Sequence, residues 1–198
     1  MFYFVIPCIL GTVVQGIFYG LSTGWLAAAV AMVFIHIQLQ NINTFVDETS
    51  GLFNRKYMNF YLEKAHKTNP RQLYGIMMDV NDFKKINDRY GHSMGDRAIR
   101  EIGKILSASL PEDAVAIRMA GDEFIILLSR GNGKMLEDTR ATIEEGLRHF
   151  NQTTTAPFKL SLSLGLARYN GRSTESFLNE LDQKMYAEKK AYHQEHPR

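Results

Sequence analysis

The 198-residue chain has a single cysteine, Cys8, a single tryptophan, Trp25, and five prolines. A lone cysteine excludes a disulfide framework and a cysteine-built zinc site. Charge is missing altogether from residues 1–46, because all 23 Lys and Arg and all 21 Asp and Glu fall later. No Lys or Arg precedes Arg55, so the basic start of a secretory signal peptide is absent and the segment is not read as one. The formal net charge is only +2, and the charged part has no basic stripe with interleaved aromatics, so nucleic acid is not an expected partner. At 45% hydrophobic and 22% charged, the composition excludes disorder and low complexity.

The uncharged part is mostly apolar. Phe2 to Tyr19 is interrupted chiefly by Pro7, Gln15 and two glycines; residues 20–24 (GLSTG) read as a turn; Leu26 to Ile35 is an unbroken apolar run. About 20 helical residues cross a hydrocarbon core. The expectation is two short transmembrane helices within residues 1–39, then a polar connector at 40–46. A hairpin buried in a soluble core is the alternative, disfavoured by the want of a polar face. Arg55, Lys56, Lys64 and Lys67 follow closely, and positive charge stays inside. The rest of the chain is therefore expected in the cytoplasm, at the inner membrane.

From residue 47 onward the pattern is that of a soluble domain. Residues 54–67 have helical spacing, and Asn69-Pro70 stops them. Residues 73–80 (LYGIMMDV) form a short apolar run, read as a buried strand. A short helix over 82–89 ends at Gly91, and an amphipathic helix over 96–110 ends at Pro111. Residues 114–118 and 123–128 make a hairpin, followed by helix 134–150, strand 159–168 and helix 174–192. The class is α/β, with the β-α-β-β-α-β core of a ferredoxin-like, palm-like sheet.

Carboxylates stand out at two places. Asp79 ends the apolar strand, and Asp122 and Glu123 sit at the hairpin tip. If those strands are neighbours the three converge, and clustered oxygen donors suit Mg²⁺ or Mn²⁺. Any one of them alone is more simply a turn former or helix cap. Lys84, near the start of the short helix, suits phosphate, although an isolated lysine there is ordinarily solvated. Asn87 and Asp96 offer an acceptor set for the N1–H and N2–H₂ donors of guanine; alone, they would be polar surface and a favourable charge in a helix's first turn.

Taken together these residues resemble the GGDEF family of diguanylate cyclases, from Asp47 to about Lys190. Residues 79–96 (DVNDFKKINDRYGHSMGD) look like D-x-D-x-F-K-x-I-N-D-x-x-G-H-x-x-G-D, and residues 118–124 (RMAGDEF) look like R-x-G-G-D-E-F. Residues 47–55 (DETSGLFNR) resemble D-x-L-T-G-L-x-N-R, and residues 182–189 (DQKMYAEK) resemble D-x-A-L-Y-x-A-K. The resemblance implies a GGDEF domain over 47–193, with a tail at 194–198, that joins two GTP into cyclic di-GMP and releases pyrophosphate. It implies that Asp79, Asp122, Glu123 and the Val80 carbonyl hold two Mg²⁺ or Mn²⁺ ions in each half-site, Glu123 alternatively assisting deprotonation of the 3′-hydroxyl. Phe83, through its backbone, and Lys84 would hold the β- and γ-phosphates. Asn87 and Asp96 would read guanine, Gly121 would let the hairpin approach the nucleotide, and Lys189 would reach the γ-phosphate. One domain holds one GTP, so a homodimer is implied, with the connector controlling its assembly. A catalytically silent module that binds GTP or a partner domain is the competing expectation.

The chain departs from the pattern in four places. Ala120 replaces the first signature glycine, at a cost of about 1–2 kcal/mol if that position needs positive φ. Asn81 replaces the second Asp of D-x-D. Tyr192 and His193 stand where the family often has Gly-Arg, removing a phosphate contact. Residues 111–114 (PEDA) replace a product-binding R-x-x-D, so product inhibition through that place is not expected.

Overall fold

The computed structural model describes residues 2–18, 23–43, 45–68 and 73–195. Within these, α1 (Phe2–Ile17) and α2 (Gly24–Asn43) come first. Then follow β1 (Phe53–Asn54), α3 (Arg55–Thr68), β2 (Tyr74–Val80), α4 (Phe83–Tyr90) and α5 (His92–Ala108). The hairpin β3 (Ala114–Ala120) and β4 (Glu123–Leu128) precedes α6 (Gly133–Thr153), β5 (Leu162–Arg168) and α7 (Thr174–Glu195). Two compact units result, Met1–Phe45 and Val46–Arg198. The stop expected at Asn69-Pro70, most of the turn expected at 20–24 and the last three residues of the tail lie outside the described residues.

In the first unit α1 and α2 pack as a hairpin. A Cβ on Gly11 would stand 2.5 Å from that of Ala27, Ala31 is fully buried, and the Thr23 hydroxyl donates to the Gly11 carbonyl at 2.8 Å. Small residues let two apolar helices approach this closely. The expectation of two transmembrane helices is not supported: among the described residues no helix is long and apolar enough to cross a membrane. At 1.5 Å per residue, the 16 residues of α1 reach only about 24 Å, and α2 turns polar from His36 onward.

The second unit is a mixed five-stranded sheet in the order β1-β3-β4-β2-β5. The pair β1–β3 is parallel and the remaining pairs are antiparallel. Every residue of β2 is buried, as an interior strand covered on both faces requires. On one face Ile76, Met78, Phe124 and Ile126 pack against α5 and α6 through Ile99, Ile102, Leu106 and Ile143. On the other, Met77, Ile125 and Leu127 meet Met58 and Leu62 of α3 and Phe177, Leu181 and Met185 of α7. Gly165 makes room for α7, since a Cβ there would lie 2.1 Å from the Leu181 carbonyl oxygen. The expected order of elements is present, with the two-residue β1 added. Strand β5 begins at Leu162 rather than at 159, because the Asn151 side chain bonds both the N–H and the C=O of Leu160 and withdraws it from the sheet.

Candidate active site

The site forms where β2 ends beside the β3–β4 hairpin. Asp79 faces Glu123 directly in the β2–β4 register, and the Val80 N–H donates to the Asp122 carbonyl at 3.1 Å. Strand pairing thus brings Asp79, Val80, Asp122 and Glu123 to one end of the sheet. Gly121 holds the turn at φ +47, with open space where a side chain would be. Ala120 does not share that conformation, because Asp82 and Asp113 are the non-glycine residues with positive φ. It ends β3 as an ordinary extended residue beside the register shift at 118–120. Arg118 braces the turn: its Nε donates to the Gly121 carbonyl and its Nη1 to Asp47, both at 2.9 Å. The motif at 47–55 and the hairpin are joined by that contact.

The β2–α4 turn supplies the other side of the site. Asn81 is buried; its side chain donates to Ser161 at 3.0 Å and accepts from Ser163 at 2.7 Å. Asp82 takes the left-handed conformation at φ 57, which Asp tolerates better than most residues, and precedes α4 without a side-chain capping bond. Beyond it, an open cleft of about 430 Å³ is lined by Val80, Asp82, Phe83, Lys84, Lys85, Asp88, Asp122, Lys189 and His193. The backbone N–H groups at the start of α4 and Lys84 offer donors to an anion there, while Lys85 and Lys189 are paired with Asp82 and Asp79. Between α4 and α5, a Cβ on Gly95 would meet the Asn87 side-chain oxygen at 2.0 Å. The structure therefore places Asn87 against the turn of α5 that carries Asp96.

Lys189 lines the cleft and is also tied to the end of β2. Its Nζ donates to Asp79 Oδ1 at 2.6 Å. Burial pushes the Asp79 carboxyl up, Lys189 and His193 oppose this, Asp122 adds to it, and the net direction is upward. Glu123 is also raised, by burial and then by Asp79, Asp122 and Asp182, with Lys189 opposing. Mutual repulsion of carboxylates is the ordinary sign of a place prepared for cations. Carboxylate and carbonyl oxygens suit Mg²⁺ or Mn²⁺, so the residues fit the implied metals. As the side chains stand, no three acidic, His or Cys groups among the described residues are poised to hold one ion.

Several contacts escaped the sequence. Asp182, within the last motif, faces Glu123 closely enough to act on its titration. Tyr192 reaches Asp82 at 3.5 Å, and His193 lines the cleft. The Arg118–Gly121 contact was legible only as a three-residue spacing inside the signature.

A family profile described as "Diguanylate cyclase, GGDEF domain" matches residues 44–195. The chain belongs to the GGDEF family. Among curated proteins it is 29% identical over 153 residues to the cyclic di-GMP phosphodiesterase PdeR of Escherichia coli K12, covering 72% of this chain and 22% of that protein. It is 26% identical over 181 residues to the probable diguanylate cyclase DgcC of the same organism, covering 88% and 49%. The chain thus spans half or less of these relatives. The solved coiled coil and GGDEF domain of DgcB from Caulobacter crescentus, in complex with c-di-GMP, superposes with a TM-score of 0.73 at 23% identity, covering 83% of this chain and 90% of that one. Diguanylate cyclase SiaD of Pseudomonas aeruginosa, solved with its activator SiaC, gives 0.67 at 23%, covering 82% and 68%.

Proposed function

We propose that the protein is a diguanylate cyclase that condenses two GTP into cyclic di-GMP with release of pyrophosphate, as a homodimer and with Mg²⁺ or Mn²⁺. The observation that carries this is the register of Asp79 opposite Glu123, with Asp122 beside them, at the mouth of a lysine-lined cleft. Bound metals would neutralise phosphate charge and polarise the α-phosphate. Asp79, Asp122, Glu123 and the Val80 carbonyl would hold them. The chain's own groups do the rest by positioning. The N–H groups at Phe83 and Lys84, with Lys84 and Lys189, bind the β- and γ-phosphates. Asn87 and Asp96 orient guanine. Glu123 would be a further metal ligand or, alternatively, assist deprotonation of the 3′-hydroxyl. Each domain offers one such site, so two copies must bring their nucleotides together.

Association of residues 1–39 with the inner membrane, and a cytoplasmic location for the second unit, belong to the same proposal. They are supported by the absence of charge from residues 1–46 and by exposed Ile9, Leu10, Trp25, Leu26 and Val33 on the hairpin. A silent module that binds GTP or a partner domain is the second reading, favoured by Tyr192 and His193 in place of Gly-Arg.

The test is incubation of the concentrated full chain with GTP and Mg²⁺, then Mn²⁺, with nucleotides resolved by chromatography and mass. Cyclic di-GMP that vanishes with Asp122→Ala, at unchanged melting temperature, is expected. Undiminished product in that variant sinks the assignment, and GTP binding without pyrophosphate release selects the silent module.

A further inference from the structure

Helix α7 carries two parallel stripes. Phe177, Leu181 and Met185 are buried against the sheet at four-residue intervals, and the next member of that row is Lys189, on Asp79. The adjoining row is Glu180, Lys184 and Glu188, and it runs along β5. Strand β5 is the last in the sheet, so its outward backbone groups have no neighbouring strand. Glu188 and Lys184 serve them instead. Glu188 Oε1 accepts from the Leu164 N–H at 3.1 Å, and Lys184 Nζ donates to the Leu166 carbonyl at 3.0 Å. Glu188 Oε2 also accepts from Arg140 of α6 at 3.1 Å, and Arg140 holds Glu144 as well. Lys184 is paired with Glu180. Both residues stand where the motif D-x-A-L-Y-x-A-K has alanine.

Below Met185 the helix has no further buried apolar side chain, although it runs on to Glu195. Packing therefore stops a full turn before Lys189. What ties that last stretch to the rest of the domain is polar: Glu188 to β5 and α6, Lys189 to Asp79, and Tyr192 to Asp82. Glu188 is adjacent to Lys189 in sequence and is the member of this set held by two different elements.

We propose that Glu188, supported by Lys184, is a positioning residue for Lys189. By acting as a substitute strand partner for β5 it fixes the turn of α7 from which Lys189 reaches both Asp79 and the phosphate cleft. The inference rests on the nucleotide reading of the cleft given above and adds to it a residue that touches neither substrate nor metal.

The test uses the full chain with Glu188→Ala, Glu188→Gln and the double variant Lys184→Ala/Glu188→Ala. Alanine is the best helix former, so α7 itself is not put at risk. Three measurements are made: hydrogen exchange at the Leu164 amide, the NMR signal of the Lys189 ammonium, and equilibrium binding of GTP with Mg²⁺. In Glu188→Ala the Leu164 amide is expected to exchange faster and the slow-exchanging Lys189 signal to be lost. GTP binding is expected to weaken roughly tenfold, as for the loss of an orienting partner. Glu188→Gln keeps an acceptor for Leu164 and is expected to restore most of all three. A Lys189 signal and GTP affinity unchanged in both alanine variants overturns the proposal. If the unaltered protein binds no GTP, the cyclase reading fails on its own account, and the Lys189 signal still decides whether Glu188 positions that lysine.

Discussion

Lys189 donates to the carboxylate of Asp79 from 110 residues away in sequence, Nζ to Oδ1 at 2.6 Å. The two are unequally covered, with the Asp79 side chain 7% exposed and that of Lys189 27%. Lys189→Met strands a buried carboxylate, and a loss of about 3 kcal/mol at neutral pH is expected from breaking such a pair. The loss should shrink as pH falls, because Asp79, already raised by burial, takes up a proton and then needs no cation. Urea unfolding of both proteins at several pH values measures this; equal stability at neutral pH contradicts it.

Asp47 behaves in the opposite way. Burial works to raise it, but hydrogen bonds from Ser50 and Arg118 outweigh this and hold it below the usual carboxylate range. Its contribution is therefore complete above about pH 3.9, the unfolded value, and is lost as pH falls through the lower folded value. Asp47→Asn should cost about 1–2 kcal/mol at neutral pH and flatten the acid limb of the stability curve. It should also slow product formation, because Arg118 then has one anchor fewer for the Gly121 turn. An acid titration of unfolding, paired with a turnover assay, checks both.

Glu123 is raised by burial and by three neighbouring carboxylates. Its charged form is disfavoured in the folded protein, so stability is expected to recover as pH falls into its titration range. Glu123→Gln removes the repulsion at neutral pH. A melting temperature about 1–3 °C higher in chelator is expected, together with a loss of cyclase activity and no gain at acid pH. A lower melting temperature at neutral pH would show that Glu123 is not under repulsion.

The two small residues of the signature turn should respond differently. Gly121→Ala forces a Cβ into positive φ and is expected to cost about 1–2 kcal/mol although the space beside it is open. Ala120→Gly relieves nothing, since Ala120 is extended already, and should lower stability by about 0.5–1 kcal/mol with product formation unchanged. A large gain in activity from Ala120→Gly would mean that the methyl group obstructs the nucleotide.

Much of the domain could be read before any coordinates, and the reasons are local. Residues 74–80 form an apolar run too short for a helix, and the stripe Ile99, Ile102 and Leu106 shows one face of a helix. The carboxylates were legible because they lie at or beside strand termini. Strand β1 was not, since two residues carry no period. The start of β5 was hidden because it depends on the Asn151 side chain, which bonds across to Leu160. The start of α5 at His92 was masked by Gly95, whose smallness serves Asn87 and not a turn. The contact of Lys189 with Asp79 was not legible, because motif order carries no record of which partner a lysine takes. The uncharged N-terminal segment was over-read, since composition measures hydrophobicity without measuring the length of each helix.

The covering of β5 by Lys184 and Glu188 has a consequence for how copies of the protein can meet. An uncovered outer strand invites another chain to extend the sheet, which leads to aggregates or to open-ended stacks. Here α7 overlies that margin and two of its backbone groups are already engaged. Growth by strand addition along β5 is thereby discouraged at the Leu164 and Leu166 positions.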